Sequence, residues 1–367
     1  ASPTRPPAYG PGPESPLDAI LGAADELGLR VFLSCGFVND QFDQQATQTV
    51  REGQQEIMSE LAALYGKRPS FFGWYLPCED SFAPRPPAAA IAAVNDMCRH
   101  ARTVTPEAVL LISPYFMHAA VIDDAYVEAL DSLDVDVIAY QDGVGCVFAH
   151  DVTDAWRKLR EAHDRVPRIA LWANVETFTW EHGVANVQTD ALVPAAFPRI
   201  LRQLVSASAY VERTISFIVQ GMFDVAGTDR PCGQAGLSEE LATDYRQWRD
   251  GATRWRLLES TLSGRVDNLA LGCAVSLVEQ PTPHRWSARR LTDGETGGLD
   301  LLSDRWLGFC GVDLDATVDL GRLQTIRSVA LRYLHFAPLE IRSPTRVEFL
   351  TSTDGVRFTQ LATVAPG

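Results

Sequence analysis

Short apolar runs alternate with amphipathic helical stretches over roughly the first 260 residues. This alternation constrains the fold more than any other property of the chain. Strands are expected at about residues 30–35, 70–76, 108–113, 135–140, 168–174 and 214–219. Between and around them the helical faces fall at 17–27, 47–65, 87–102, 119–130, 152–163, 197–209 and 237–258. The first helix carries Leu17, Ile20, Leu21, Ala24 and Leu27 on one face and ends at Gly28. Strand starts recur at the roughly 30–45-residue spacing of β/α units, so the fold class is α/β with a parallel sheet. Residues 1–16 are Pro-rich and read as an irregular lead-in.

Two architectures compete, an open doubly wound sheet and a β/α barrel. No Gly-rich phosphate loop follows the first strand, which weakens the nucleotide-binding sheet. Counting back in twos from Glu176 meets Asn174 and Trp172; from Glu79, Tyr75 and Gly73; from Asp142, Tyr140. Polar and aromatic groups thus share parity with strand-end carboxylates, as they would around one barrel mouth. A full barrel of this type has eight strands. Six leave an open wall, so the expectation is a TIM-type barrel lacking its first two units in this chain.

Ser70-Phe-Phe-Gly-Trp-Tyr-Leu-Pro-Cys-Glu-Asp80 carries the chemistry. It reads as a buried strand stopped by Pro77, which has no N–H for the ladder, and followed by Glu79. Ile169-Ala-Leu-Trp-Ala-Asn-Val-Glu176 repeats that design. Ligands of α/β folds bind beyond the carboxyl ends of the strands. The bland alternative makes Glu79 and Asp80 ordinary loop residues.

The apolar fraction of 46% supports substantial cores, and the formal charge of −15 argues against a nucleic-acid partner, which needs a basic face. It suits a neutral, polyhydroxylated ligand better than an anionic one. No apolar run is long enough to span a membrane, and no signal-peptide pattern opens the chain. The seven cysteines, Cys35, Cys78, Cys98, Cys146, Cys232, Cys273 and Cys310, have no CxxC spacing. Small buried side chains are the favoured reading for those near strand ends. No HxH, HExxH or GxSxG occurs, which disfavours those zinc and serine hydrolases.

After about residue 264 the helical period stops. Strand-like runs at 269–277, 316–320, 325–333 and 346–352, separated by Thr292-Asp-Gly294 and Thr353-Asp-Gly355, imply an all-β sandwich over 265–367, after a catalytic barrel over 17–260.

The C-terminal segment resembles a discoidin-like (coagulation factor 5/8 type C) domain. The resemblance rests on Asn268-Leu-Ala-Leu-Gly-Cys-Ala-Val275, Leu291-Thr-Asp-Gly294, Trp306-Leu-Gly-Phe309, Asp313-Leu-Asp-Ala-Thr-Val-Asp-Leu-Gly321, Ile326-Arg-Ser-Val329, Pro344-Thr-Arg-Val-Glu-Phe349 and Ser352-Thr-Asp-Gly355. Such domains typically run longer, so the last strands look missing. The resemblance leaves two options at Asp293, a structural calcium or a plain turn.

Residues 17–225 resemble a bacterial family of glycosidase-like barrels, formerly of unknown function. Leu17-Asp-Ala-Ile-Leu21, Ala24-Asp-Glu-Leu-Gly-Leu-Arg-Val-Phe-Leu33 and Gly73-Trp-Tyr-Leu-Pro-Cys-Glu79 carry it. It implies that the Phe71 strand is the fourth of a barrel and the Ile169 strand the seventh. Glu79 and Glu176 then fall where the retaining-glycosidase clan has its acid/base and its nucleophile. That clan commonly has Asn before the acid/base; this chain has Cys78.

Independently of the resemblance, glycosidic cleavage needs one carboxylic acid and one carboxylate on opposite faces of the sugar. Glu79 and Glu176 supply the pair, and Glu79, as the acid that must stay protonated near neutral pH, is expected to be the more enclosed. Trp74, Tyr75, Tyr115, Tyr140, Asp142, Trp172, Asn174 and Trp180 are the expected substrate contacts, with ordinary core packing the alternative for each aromatic. The leading expectation is a secreted or cell-surface glycoside hydrolase acting on an oligo- or polysaccharide, with no cofactor or catalytic metal. The other is a non-catalytic carbohydrate-binding protein on a barrel scaffold.

Overall fold

A computed structural model describes residues 16–36, 48–115, 117–146, 152–181, 191–227, 231–234, 236–263, 268–282, 287–294, 306–331, 333, 341–342 and 344–365. The chain divides into two compact units. One takes residues up to Gly143 with those of 151–176 and 206–217; the other takes those of 144–150, 177–205 and 218–367.

The first unit is built on β1 (Val31–Ser34), β2 (Phe71–Tyr75), β3 (Val109–Ile112), β4 (Val137–Gln141), β5 (Ala170–Glu176) and a last strand, Arg213–Phe217. All five pairings are parallel, and the spatial order follows the chain order. β1 and the Arg213–Phe217 strand form the two edges. Each strand lies within two residues of its expected bounds, because the apolar runs are sharply punctuated. The sheet curls. β1 and β5 are four strand spacings apart, about 19 Å along a flat sheet. Yet the rings of Phe32 on β1 and Trp172 on β5 have centroids 6.1 Å apart, edge to face. This is a parallel half-barrel.

The register separates the two faces. Gly73, Tyr75, Leu111, Val137, Ala139, Gln141, Ala170, Trp172 and Asn174 share the concave face through ladder partners such as Ala139↔Trp172 and Gln141↔Asn174. Leu111, Val137, Ala139 and Trp172 form its core, with Phe32, Tyr75, Val109, Ala170 and Ile215 packed against them. Gly73 has a steric reason to be glycine. A Cβ there would collide with the carbonyl oxygen of Val109 on the next strand.

Trp74, Leu110, Ile112, Ile138, Tyr140, Leu171 and Ala173 point to the convex face and have no exposed surface. Covering each of the leucines and isoleucines among them contributes about 1.5–3 kcal/mol. The cover comes from α1 (Pro16–Leu27), α2 (Gln48–Tyr65), α3 (Ala88–Val104), α4 (Asp124–Asp131) and α5 (Thr153–Arg165). Side chains tie helices to strands. Asp25 accepts from the backbone N–H of Ser70 (2.8 Å) and from Arg68 Nε (2.9 Å). Asp136 accepts from Leu110 N–H and from Arg102, each at 2.8 Å. The helix expected from 119 starts later. A single 3-10 turn, Met117–Ala119, comes first, and Asp123 caps α4 by accepting from Tyr126 N–H.

In the second unit β6 (Phe178–Trp180) and β7 (Leu192–Pro194) make an antiparallel pair that period counting did not single out, since both are three residues long. α6 (Phe197–Ser208) begins there and runs into the first unit, leading to β8, the Arg213–Phe217 strand. The single helix expected over 237–258 is two, α7 (Leu237–Arg249) and α8 (Thr253–Leu262), broken at Gly251, whose φ of 86° no helix accommodates. Tyr245, Trp248 and Trp255 from these helices surround the ring of Phe197 at 6.3, 6.0 and 4.9 Å.

Beyond residue 268, β9 (Ala274–Leu277) pairs with β10 (Ala316–Asp319), and β11 (Val347–Thr351) with β12 (Thr359–Val364), both antiparallel. Residues 269–272 form turns rather than the start of a strand, and the described residues of 325–333 are not a strand. Asp293 is engaged by the guanidinium of Arg290 at 2.9 Å. Among the described residues no three His, Cys, Asp or Glu side chains are grouped as metal ligands.

Candidate active site

The carboxyl ends of β2 to β5 are stitched together beyond the regular ladder. Leu76 N–H donates to Leu111 O (2.8 Å), Tyr115 N–H to Asp80 O (3.1 Å), and Gln141 N–H to Pro114 O (2.9 Å). Asp142 N–H donates to Asn174 O (3.1 Å). These bonds set the backbone on which the candidate side chains sit. Pro77 ends β2, and Cys78 N–H folds back onto Leu76 O at 2.7 Å. Glu79 therefore stands on a short loop held at both ends, four residues beyond Tyr75.

Glu79 is half-buried, and burial raises its carboxyl above the usual carboxylate range; a hydrogen bond from Tyr75 opposes that rise. Tyr75 Oη lies 3.4 Å from Glu79 Oε1. Asp80 beside it is also raised by burial. Glu176 is the last residue of β5, 3% exposed, and its backbone N–H donates to Asp142 Oδ1 at 3.3 Å. Asp142, 1% exposed, fixes the end of β5. The two glutamates thus differ from expectation in their enclosure. The sequence suggests that Glu79 is the more enclosed; Glu176 is. It completes an interior strand between β4 and β8, whereas Glu79 lies on a loop.

Asn174 occupies the concave face one pleat below Glu176. Its Nδ2 donates to Ser113 Oγ at 2.9 Å, and Ser113 Oγ donates to Ala139 O at 2.7 Å. Gln141 Nε2 donates to Ser113 O at 2.9 Å. Gln141 and Ser113 extend the polar layer and were missed in the sequence. The signal was present in the alternation of small Ala139 with large Ile138 and Tyr140, which marks 137, 139 and 141 as the concave positions.

Four expected substrate contacts belong to the packing instead. Tyr140, with no exposed surface, faces the helices: its hydroxyl meets Tyr126 Oη at 3.1 Å and His163 Nε2 at 3.4 Å. Counting back from Asp142 gave the wrong parity because Asp142 lies past the end of β4. Trp74 also faces the helices and donates Nε1–H to Thr105 Oγ1 at 2.8 Å. Trp172 faces the concave side but lies in its core, against Phe32 and under the guanidinium of Arg213, 5.1 Å from the ring centroid. Trp180 is buried in the second unit, on β6. Asp224 is also a clasp of that unit, accepting from Cys232 N–H and Gly233 N–H at 3.1 and 2.9 Å. Burial pushes the Cys78 thiol up to about 12, so it stays protonated.

A parallel half-barrel with carboxylates at the carboxyl ends of its strands defines the fold class. The family model described as domain of unknown function DUF4434 matches residues 6–227, and the chain belongs to that family. No curated protein matches the sequence. Among solved structures, a Bacteroides thetaiotaomicron VPI-5482 protein provisionally assigned as an alpha-L-fucosidase is similar at TM-score 0.51 and 18% identity, over 66% of this chain and 73% of its own. A beta-D-glucuronidase of Dictyoglomus thermophilum matches at TM-score 0.42 and 15% identity, over 63% of this chain and 42% of its own. A beta-galactosidase of Marinomonas ef1 matches at TM-score 0.43 and 12% identity, over 69% and 56%. At these identities the likeness is one of fold. No described helix is long and apolar enough to cross a membrane.

Proposed function

We propose that this chain carries the catalytic barrel of a glycoside hydrolase that works with retention on an oligo- or polysaccharide of bacterial or environmental origin. The observation that carries the reading is the placement of Glu79, four residues beyond the end of β2, and Glu176, the last residue of β5, both at the carboxyl end of one curled sheet. Glu79 is the acid/base. Desolvation favours its protonated form, which delivers a proton to the departing glycosidic oxygen as the bond to C1 breaks. Glu176 is the nucleophile. Its carboxylate attacks C1 and forms a glycosyl ester, while Asp142 keeps the end of β5 in place. Ionised Glu79 then takes a proton from water, the water oxygen attacks C1, and the ester bond to Glu176 breaks. Tyr115 serves as a donor to Glu176, and Asn174 faces the sugar.

The discoidin-like reading of 265–367 is part of the same proposal. Two antiparallel strand pairs support it, and an appended sandwich would hold the enzyme on an extracellular polysaccharide. Secretion or cell-surface display follows from that substrate.

The test is a panel of polysaccharides and aryl glycosides with product analysis, run on the wild-type chain, Glu79→Gln and Glu176→Gln. Glu176→Gln should abolish turnover. Glu79→Gln should spare activated aryl glycosides relative to unactivated linkages, because a good leaving group needs little protonation. Saccharide binding without turnover by the wild type would favour the carbohydrate-binding alternative.

A further inference from the structure

We propose that Tyr75 is the positioning residue of Glu79: its phenol holds the carboxylate over the concave face and sets how tightly Glu79 keeps its proton. The assignment of a catalytic role to this pairing rests on the hydrolase reading above; the pairing itself does not.

The geometry starts in the ladder. Tyr75 is in register with Ser34 and Leu111, so its side chain rises from the concave face at the last residue of β2. The chain then reverses through the Leu76–Cys78 turn, and Asp80 is pinned by Tyr115 N–H. A residue four positions on would stand about 13 Å away in an extended strand. The turn instead brings Glu79 Oε1 to 3.4 Å from the phenol oxygen. Tyr75 is half-buried, and burial together with the neighbouring Glu79 and Cys78 raises its phenol well above the ordinary value. It therefore remains an O–H donor across the working range.

A donor to a carboxylate favours the ionised form, and desolvation favours the protonated form. Glu79 experiences both, with desolvation the larger. That balance is what an acid/base needs, since it must give a proton in one half-reaction and accept one in the next. Other titratable groups beside the loop are Cys78 and Asp80 on the loop itself and Tyr115 on the segment bridged to it. They are unchanged by substitution at Tyr75.

The experiment is a carboxyl ¹³C NMR titration of the full chain labelled at glutamate, with the Glu79 resonance assigned by its loss in Glu79→Gln. It needs no substrate. Tyr75→Phe should move the Glu79 midpoint upward by roughly half a pH unit, the effect of losing one long hydrogen bond to a charged group. Fluorotyrosine at position 75, a stronger donor of nearly the same shape, should move it downward and keeps the test open should Tyr75→Phe fold poorly. Unmoved midpoints in both overturn the proposal, whatever the enzyme cleaves. Midpoints that move in opposite directions support it. If aryl glycosides are cleaved, the alkaline limb of kcat/KM should follow the NMR midpoints with KM nearly constant; a KM effect with a fixed limb overturns the positioning role. Moving midpoints in a chain that cleaves no glycoside leave the pairing standing and remove the hydrolase reading.

Discussion

Tyr140→Phe separates the packing of this fold from its chemistry. The three groups behind β4 form a directional chain. His163 Nδ1–H donates to Ile169 O at 2.9 Å, so Nε2 is the acceptor for the Tyr140 hydroxyl, and that hydroxyl accepts from Tyr126. All three side chains have no exposed surface. Removing the central hydroxyl leaves two buried polar groups, Tyr126 O–H and His163 Nε2, without this partner. Each such orphan costs about 1–3 kcal/mol, and bonds as long as 3.1 and 3.4 Å place the cost near the lower end, about 2 kcal/mol together. For a unit of this size that corresponds to a melting temperature about 4–8 °C lower. The assays are urea and thermal unfolding followed by tryptophan fluorescence, beside turnover of any glycoside that the wild type cleaves. Turnover should be unchanged. A loss of turnover at unchanged stability would return Tyr140 to the site and refute the assignment of faces from the register.

Further outcomes follow from the same structure. Burial lowers the His163 imidazole to about 4, so between the ordinary histidine value and that point the unfolded chain binds the extra proton; stability should fall as pH drops through about 6.5 to 4, and His163→Gln should flatten that slope in pH-dependent urea midpoints. Gly73→Ala should fail to fold or lose several kcal/mol, read by soluble yield and unfolding midpoint, because the new methyl meets Val109 backbone rather than a movable side chain. Trp74→Phe should cost about 1 kcal/mol through the Thr105 hydrogen bond and leave kcat/KM unchanged. Asp142→Ala should lower kcat with a smaller effect on KM, since it frees the end of β5 at Glu176; equal effects on both would point to direct substrate binding.

Strands β1 to β5 and β8 were legible because each is an apolar run with a clear stop, such as Pro77 or Asp142-Gly143. The placement of the two glutamates at strand ends was legible for the same reason. Faces were harder to read. On a strand buried on both sides, the concave and convex positions are equally apolar, and period two alone does not say which is which. Trp74 and Tyr140 were therefore misplaced: their polar tips are satisfied by Thr105, Tyr126 and His163, which are distant in sequence. Trp172 is on the concave side, but only its neighbours Phe32 and Arg213 show that it fills a core. Short elements were invisible for a different reason: β6 and β7, at three residues each, offer too few positions for a period.

The central claim is that Glu176 forms a covalent glycosyl ester that Glu79 helps to make and break. Incubation of the full chain with activated 2-deoxy-2-fluoro aryl glycosides of gluco, galacto, xylo and fuco configuration tests it most directly, followed by intact-mass and peptide-level mass spectrometry. The account predicts that one of them adds a single glycosyl mass to the peptide containing Glu176, and that Glu176→Gln takes up none. Turnover of the parent glycoside with no adduct, or an adduct on Glu79, would contradict it.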